Sequence, residues 1–149
     1  MPADLTLTTL PISPETGEHG LVLVFRDDAG PCVLKGTPSV RLRDRTGAMV
    51  PLVVRNTDSY VRAIPSRAVP LTAGRRAFVL VAKYRCDMGD AQVAAVADVH
   101  LDRTPGTLTA DVRSVDLARC VGSRHGPGQT IAVSPFVANP QELAPKQPG

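Results

Sequence analysis

The side chains of this 149-residue chain with most chemistry to offer are its three histidines and three cysteines. His100 stands in Asp98-Val99-His100-Leu101-Asp102. On a strand, where side chains alternate between faces, Asp98, His100 and Asp102 share one face, a trio suited to a metal or to acid–base work. The same spacing describes the polar face of a half-buried strand, and that is the reading adopted. His125 follows Ser123 in Gly122-Ser123-Arg124-His125-Gly126-Pro127-Gly128, a nucleophile and a base of the kind a hydrolase uses. Its glycines sit at no strand–helix junction, so the segment reads as a solvated loop rather than a phosphate cradle. His19 follows Glu18 in what reads as a loop. Asp27-Asp28 and Asp87-Met88-Gly89-Asp90 gather carboxylates without the spacing of a calcium loop, and turn chemistry accounts for both. The expectation is no catalytic residue, no metal and no cofactor.

Cys32, Cys86 and Cys120 are too far from one another and from the histidines for a zinc site. A bridge from Cys86 to Cys120 closes a loop of about 34 residues, worth about 4 kcal/mol by loop-closure entropy. The alternative is three reduced thiols packed in a core. With the bridge, Cys32 is left unpaired or lacks its partner, and an oxidising compartment follows.

The elements that position these residues read as strands. Hydrophobic residues make up 43% of the chain but aromatics only 3%, with no Trp, so the core must be aliphatic. Valine's branched Cβ suits strands, and fourteen Pro and twelve Gly supply frequent turns. Leu and Thr alternate over Asp4–Leu10, and Gly20–Arg26 is a continuous apolar run fit for a central strand. Val40–Arg43 alternates again, the turn Asp44–Gly47 follows, and Met49–Val54 is the return strand. Pro51 within it lacks an amide proton, which predicts an edge strand or a bulge. Ala77–Tyr84 is a second core strand. Val93–Leu101 has helix-like alanines but strand-like alternation and is taken as a strand. Thr107–Val112 and Thr130–Phe136 complete a count of eight or nine short strands with a turn every 8–12 residues. The pattern predicts an all-β, immunoglobulin-like antiparallel sandwich over residues 1–138, with a Pro-rich disordered tail over 139–149.

The net charge of +3 is spread out, and two Tyr with three Phe make few stacking platforms, which argues against a nucleic-acid partner. The arginines Arg55, Arg62, Arg67, Arg75, Arg76 and Arg85 allow peripheral contact with an anionic membrane surface or an acidic partner, although ordinary solubilising charge is the reading adopted for them. No window approaches the ~20 apolar residues of a membrane-crossing helix. Met1-Pro2-Ala3-Asp4 does not read as a signal peptide, which leaves either a cytoplasmic protein or a trimmed mature form with an added Met.

Pro31-Cys32-Val33-Leu34-Lys35-Gly36-Thr37-Pro38-Ser39-Val40-Arg41-Leu42 resembles the PCxLxGxPxVxL segment of the DUF4232 family of exported or lipid-anchored actinobacterial domains. Leu21–Asp27 is similar to its preceding strand, Val69–Ala77 to its turn, and Cys86, Cys120 and Ile131–Phe136 to its later Cys pair and closing strand. The likeness spans about residues 4–137. Family members often carry a Cys just before a segment like Ala3-Asp4-Leu5, where this chain has Met1 and Pro2; trimming there would remove a partner of Cys32. The resemblance implies export, a sandwich fold and no assigned reaction.

The function expected is a non-catalytic binding or interaction module of the cell envelope or secreted space, lipid-anchored in the full-length protein, meeting an envelope protein or glycan. Loops 55–65, 86–91 and 121–129 are the candidate contact regions, with Arg55, Tyr60, Arg62, Asp87, Met88, Arg124 and His125 as the residues expected to touch a partner. The competing expectations are an envelope hydrolase using Ser123 and His125, a metal enzyme around His100, and a passive spacer domain.

Overall fold

A computed structural model of the chain describes residues 5–12, 18–28, 30–56, 63–101, 106–122 and 127–143. In chain order the strands are β1 (Leu5–Pro11), β2 (Glu18–Asp27), β3 (Cys32–Lys35), β4 (Ser39–Arg43), β5 (Met49–Val50), β6 (Val53–Arg55), β7 (Ala68–Leu71), β8 (Arg76–Tyr84), β9 (Asp90–Val93), β10 (Val96–His100), β11 (Leu108–Asp111), β12 (Ala118–Cys120) and β13 (Thr130–Val133). Short 3-10 turns occupy Pro127–Gln129 and Pro140–Leu143. The described residues contain no helix long and apolar enough to cross a membrane.

A five-stranded sheet, β1-β2-β8-β13-β6, and a four-stranded sheet, β11-β10-β4-β5, form the two layers, with the pairs β12-β9 and β3-β7 beside them. The all-β sandwich expected from alternation is present. Leu21, Leu23 and Phe25 of β2, Val79 and Val81 of β8, and Ile131 and Val133 of β13 meet Val40, Leu42, Ala97 and Val99 in one core. Fully burying a side chain of this size stabilises by roughly 1.5–3 kcal/mol. Phe25 and Phe136 pack edge to face, their centroids 5.2 Å apart, so two of the scarce aromatics sit together in the core.

The strand count exceeds the eight or nine expected because two predicted strands divide and the short strands β3, β7 and β12 add to them. Met49–Val54 splits at Pro51: β5 pairs with β4 (Val50 opposite Leu42), and the chain then leaves that sheet to pair β6 in parallel with β13. That parallel pair is a departure from the all-antiparallel expectation. Val93–Leu101 divides at Ala94 and Ala95, whose amides donate to the carbonyls of Leu117 and Arg43. β2 begins earlier than the apolar run, so His19 is a strand residue opposite Lys83 rather than part of a loop.

The apolar run of β2 has a physical reason on both faces. Leu21, Leu23 and Phe25 point into the core; Val22 and Val24 join Leu80, Ala82 and Ala132 in a second cluster on the outer face. Val137 and Leu143 cover that cluster, with Ile12, Ile64 and Phe78 at its margin. This corrects the predicted tail. Phe78 and Val137 exchange both backbone hydrogen bonds at 2.9 Å, and Leu143 is buried, so residues 139–143 belong to the folded unit. Proline and polar composition argued for disorder there, but Leu143 has an apolar face to cover. Residues 144–149 lie outside the described residues.

Candidate groove between two sheet edges

Pro51 determines the shape of the most notable surface. Because β5 stops at Val50, the stretch Ser39–Arg41 of β4 has no strand on its outer side among the described residues. β6 is the outermost strand of the other sheet. Between them lies a groove of about 1020 Å³, lined by both strands, the 49–52 connection, Gln92, Arg119, Gly122 and Gln129. Met49, Val53 and Val54 remain 57%, 49% and 50% exposed, an unusual state for neighbouring large apolar side chains. The charged residues lining the groove are Arg41 and Arg119, and no carboxylate among the described residues joins them.

The walls are fixed by polar contacts. The Asp44 carboxylate accepts from the Thr46 and Ala48 amides at 2.9 and 3.0 Å and from the Thr46 hydroxyl at 2.7 Å, closing the β4–β5 turn. Gln92 donates to Asp44 at 2.8 Å and to the Met49 carbonyl at 3.0 Å, and accepts from Arg119 at 3.4 Å. The Thr46 hydroxyl, then Gln92, hold the Asp44 pKa down to about 2. At the far end, buried Gln129 donates to the Cys120 carbonyl at 2.7 Å and accepts from the Cys120 amide at 3.1 Å.

Cys86 and Cys120 form a disulfide, as expected, with their Cα atoms 5.1 Å apart. A Cβ on Gly128 would collide with Cys120 Sγ, so only glycine fits there. Lys83 is 1% exposed; its ammonium donates to the Tyr84 carbonyl at 2.7 Å and lies 3.3 Å from Cys120 Sγ. Burial and a hydrogen bond shared with Asp116 push the Asp90 carboxyl up, while Lys83 and His19 pull it back. Cys32 is a buried free thiol. Desolvation, reinforced by Asp27, raises its pKa and so disfavours the thiolate.

The predicted contact residues divide. Val121 donates its amide to the Gly89 carbonyl at 3.0 Å, so the 86–91 and 121–122 segments meet beside the disulfide. Met88 is 78% exposed at this tip, and Asp87 pairs with Arg85 at 3.1 Å. Arg55 does not join them. It stands opposite Ala132 in the parallel pair, so β6 carries the chain away from the end where Gln129 and Cys120 lie. Tyr60, Arg62, Ser123, Arg124 and His125 lie outside the described residues, as does Asp102. The two described members of the His100 trio are otherwise engaged: Asp98 takes two bonds from Arg43, at 2.5 and 2.9 Å, and the His100 ring contacts the Gly106 carbonyl at 3.0 Å. Arg43 holds the Asp98 carboxyl below its ordinary range. Among the described residues no three His, Cys, Asp or Glu are placed to hold a metal ion.

Arg41, Val53, Val54 and Arg119 were not singled out by sequence reasoning. Pro51 was the available signal: a proline in a return strand announced an irregularity at that edge but not the move to the other sheet. Arg119 had no signal, because β12 is three residues long and its pairing with β9 is a long-range event.

No curated protein and no solved structure matches the chain. One family profile does, described as a domain of unknown function (DUF4232), and it covers residues 1–137 of the 149. The chain belongs to the DUF4232 family.

Proposed function

We propose that this domain is a non-catalytic binding module of an exported or envelope-held protein, with its ligand seated in the groove between β4 and β6. The observation that carries this reading is the groove itself: Met49, Val53 and Val54 stay about half exposed beside Arg41 and Arg119. Apolar contact, guanidinium groups and amides are the means by which a surface holds a ligand. The Cys86–Cys120 bridge supports the oxidising compartment that the reading requires.

The test places a photoreactive amino acid at Val54 in cells making the full-length protein, with Leu10 as control. Leu10 is 55% exposed on β1, at the opposite edge of the same sheet. Discrete adducts are expected at position 54 and not at position 10. Equal labelling at both, or none at either, would overturn the groove as the binding site.

A further inference from the structure

We infer that the occupant of the groove is an extended, acidic segment of a partner protein that adds as a strand to the free edge of β6. This rests on the groove being the binding site and goes further by naming the partner's chemistry and geometry.

The backbone supplies the first argument. Among the described residues β6 ends its sheet, and β4 loses its partner strand once the chain turns away at Pro51. A segment lying in the groove therefore has a strand edge on each side, one from each layer. Unpaired edges are templates for another strand, which gains affinity from main-chain hydrogen bonds and specificity from alternate side chains. Val53 and Val54 supply apolar contact to β-branched or aliphatic side chains of such a segment.

Charge supplies the second. Arg41 and Arg119 line the groove, and Arg55 follows on β6 itself. None of the three enters an ion pair among the described residues, whereas Arg26, Arg43, Arg67, Arg85 and Arg113 all do. Asp44, which reaches this wall through Gln92, is occupied by Thr46, Ala48 and Gln92. Asp98 stands opposite Arg41 on β10 but is held by Arg43, so the three guanidinium groups that enter no ion pair among the described residues call for carboxylates from the partner. They also disfavour a second copy of this chain, because pairing β6 with its own copy would bring both sets of arginines together on a chain already at +3.

Random twelve-residue peptides displayed on phage are selected against the intact, disulfide-bonded protein, and the enriched sequences are then made synthetically. Expected are peptides alternating Val, Ile or Thr with Asp or Glu. Their binding should weaken at least about tenfold with Arg41→Glu/Arg119→Glu. N-methylation at alternate amides should weaken it similarly, and at the intervening amides hardly at all. Val54→Asp serves as the blocking variant, with Arg119→Glu alone as the second should Val54→Asp unfold. Peptides indifferent to both variants would be bound elsewhere and overturn the peptide inference, leaving the groove to photolabelling at position 54. Peptides blocked by the variants but lacking acidic residues, or tolerant of methylation at every amide, would leave the groove standing and sink acidic strand addition. Failure to enrich any sequence overturns the peptide inference alone, since photolabelling at position 54 decides the groove separately. A concentration-dependent dimer in sedimentation, abolished by Val54→Asp, would assign the groove to a second copy and overturn it too.

Discussion

On one side of the sandwich β1 lies against β11, and the Thr9 hydroxyl donates to the Asp111 carbonyl at 3.4 Å, so the edges of the two layers meet. Leu7 and Leu108 turn inward there and pack on the main core. On the opposite side β4 and β6 stand apart across about 1020 Å³, and valines of similar apolar character face outward. Both sides are built of short strands with the same alternating pattern. The difference lies in connection: β1 runs seven residues in unbroken register with β2, whereas β5 is cut short at two by a proline that cannot continue the ladder. A side that closes contributes stability, and a side left open has surface to offer a partner.

The largest effect that tests this contrast comes from the bridge at the open side. Cys86→Ser/Cys120→Ser is expected to lower unfolding stability by about 4 kcal/mol, read from urea denaturation. Amide exchange should rise over 118–122 and 127–131 while β1 and β11 keep their protection; uniform loss would mean that the two sides are not separable. Next, Leu7→Ala on the closed side should cost about 2 kcal/mol, because it leaves a cavity against the core. Val54→Thr on the open side should stay within about 0.5 kcal/mol. Equal costs at positions 7 and 54 would show that the groove is packed in solution and would erase the contrast.

The smallest effect is in acid. Asp44 on the open side and Asp111 on the closed side both titrate at about 2, Asp44 held by Thr46 and Gln92 and Asp111 by Arg113. A carboxyl whose folded pKa is lowered contributes stability above its unfolded value near 4 and loses it as pH falls toward 2. Both groups are solvent-facing, so the slope is shallow. Asp44→Asn should flatten part of the decline in urea midpoint between pH 4 and pH 2, and Asp111→Asn a further part. A decline unchanged by both substitutions would place acid sensitivity elsewhere.

Particular residues show how far the sequence could be read. The alternation in Ser39–Arg43 announced a strand with Val40 and Leu42 inward, and both are buried. The Cys86–Cys120 pairing was legible from position and from family likeness. Leu143 was not legible, because its burial depends on an outer sheet face more than a hundred residues away in Val22 and Val24. The groove was legible only as the anomaly of Pro51. Arg41 gave no local sign of sharing a groove with Arg119, which depends on Gln92 of β9 reaching the β4–β5 turn while accepting from Arg119 of β12.

The sequence by itself determined the all-β class, the period-two placement of the core and the bridging cysteines, because strand propensity, alternation and turn residues act over a few neighbouring positions. Only the tertiary structure decided, among the described residues, which sandwich side closes and which stays open, and which arginines enter no ion pair. Those outcomes depend on strand partners chosen across the whole chain, where β6 pairs with β13 some 77 residues away (Val53 opposite Thr130), and no local pattern encodes such a choice.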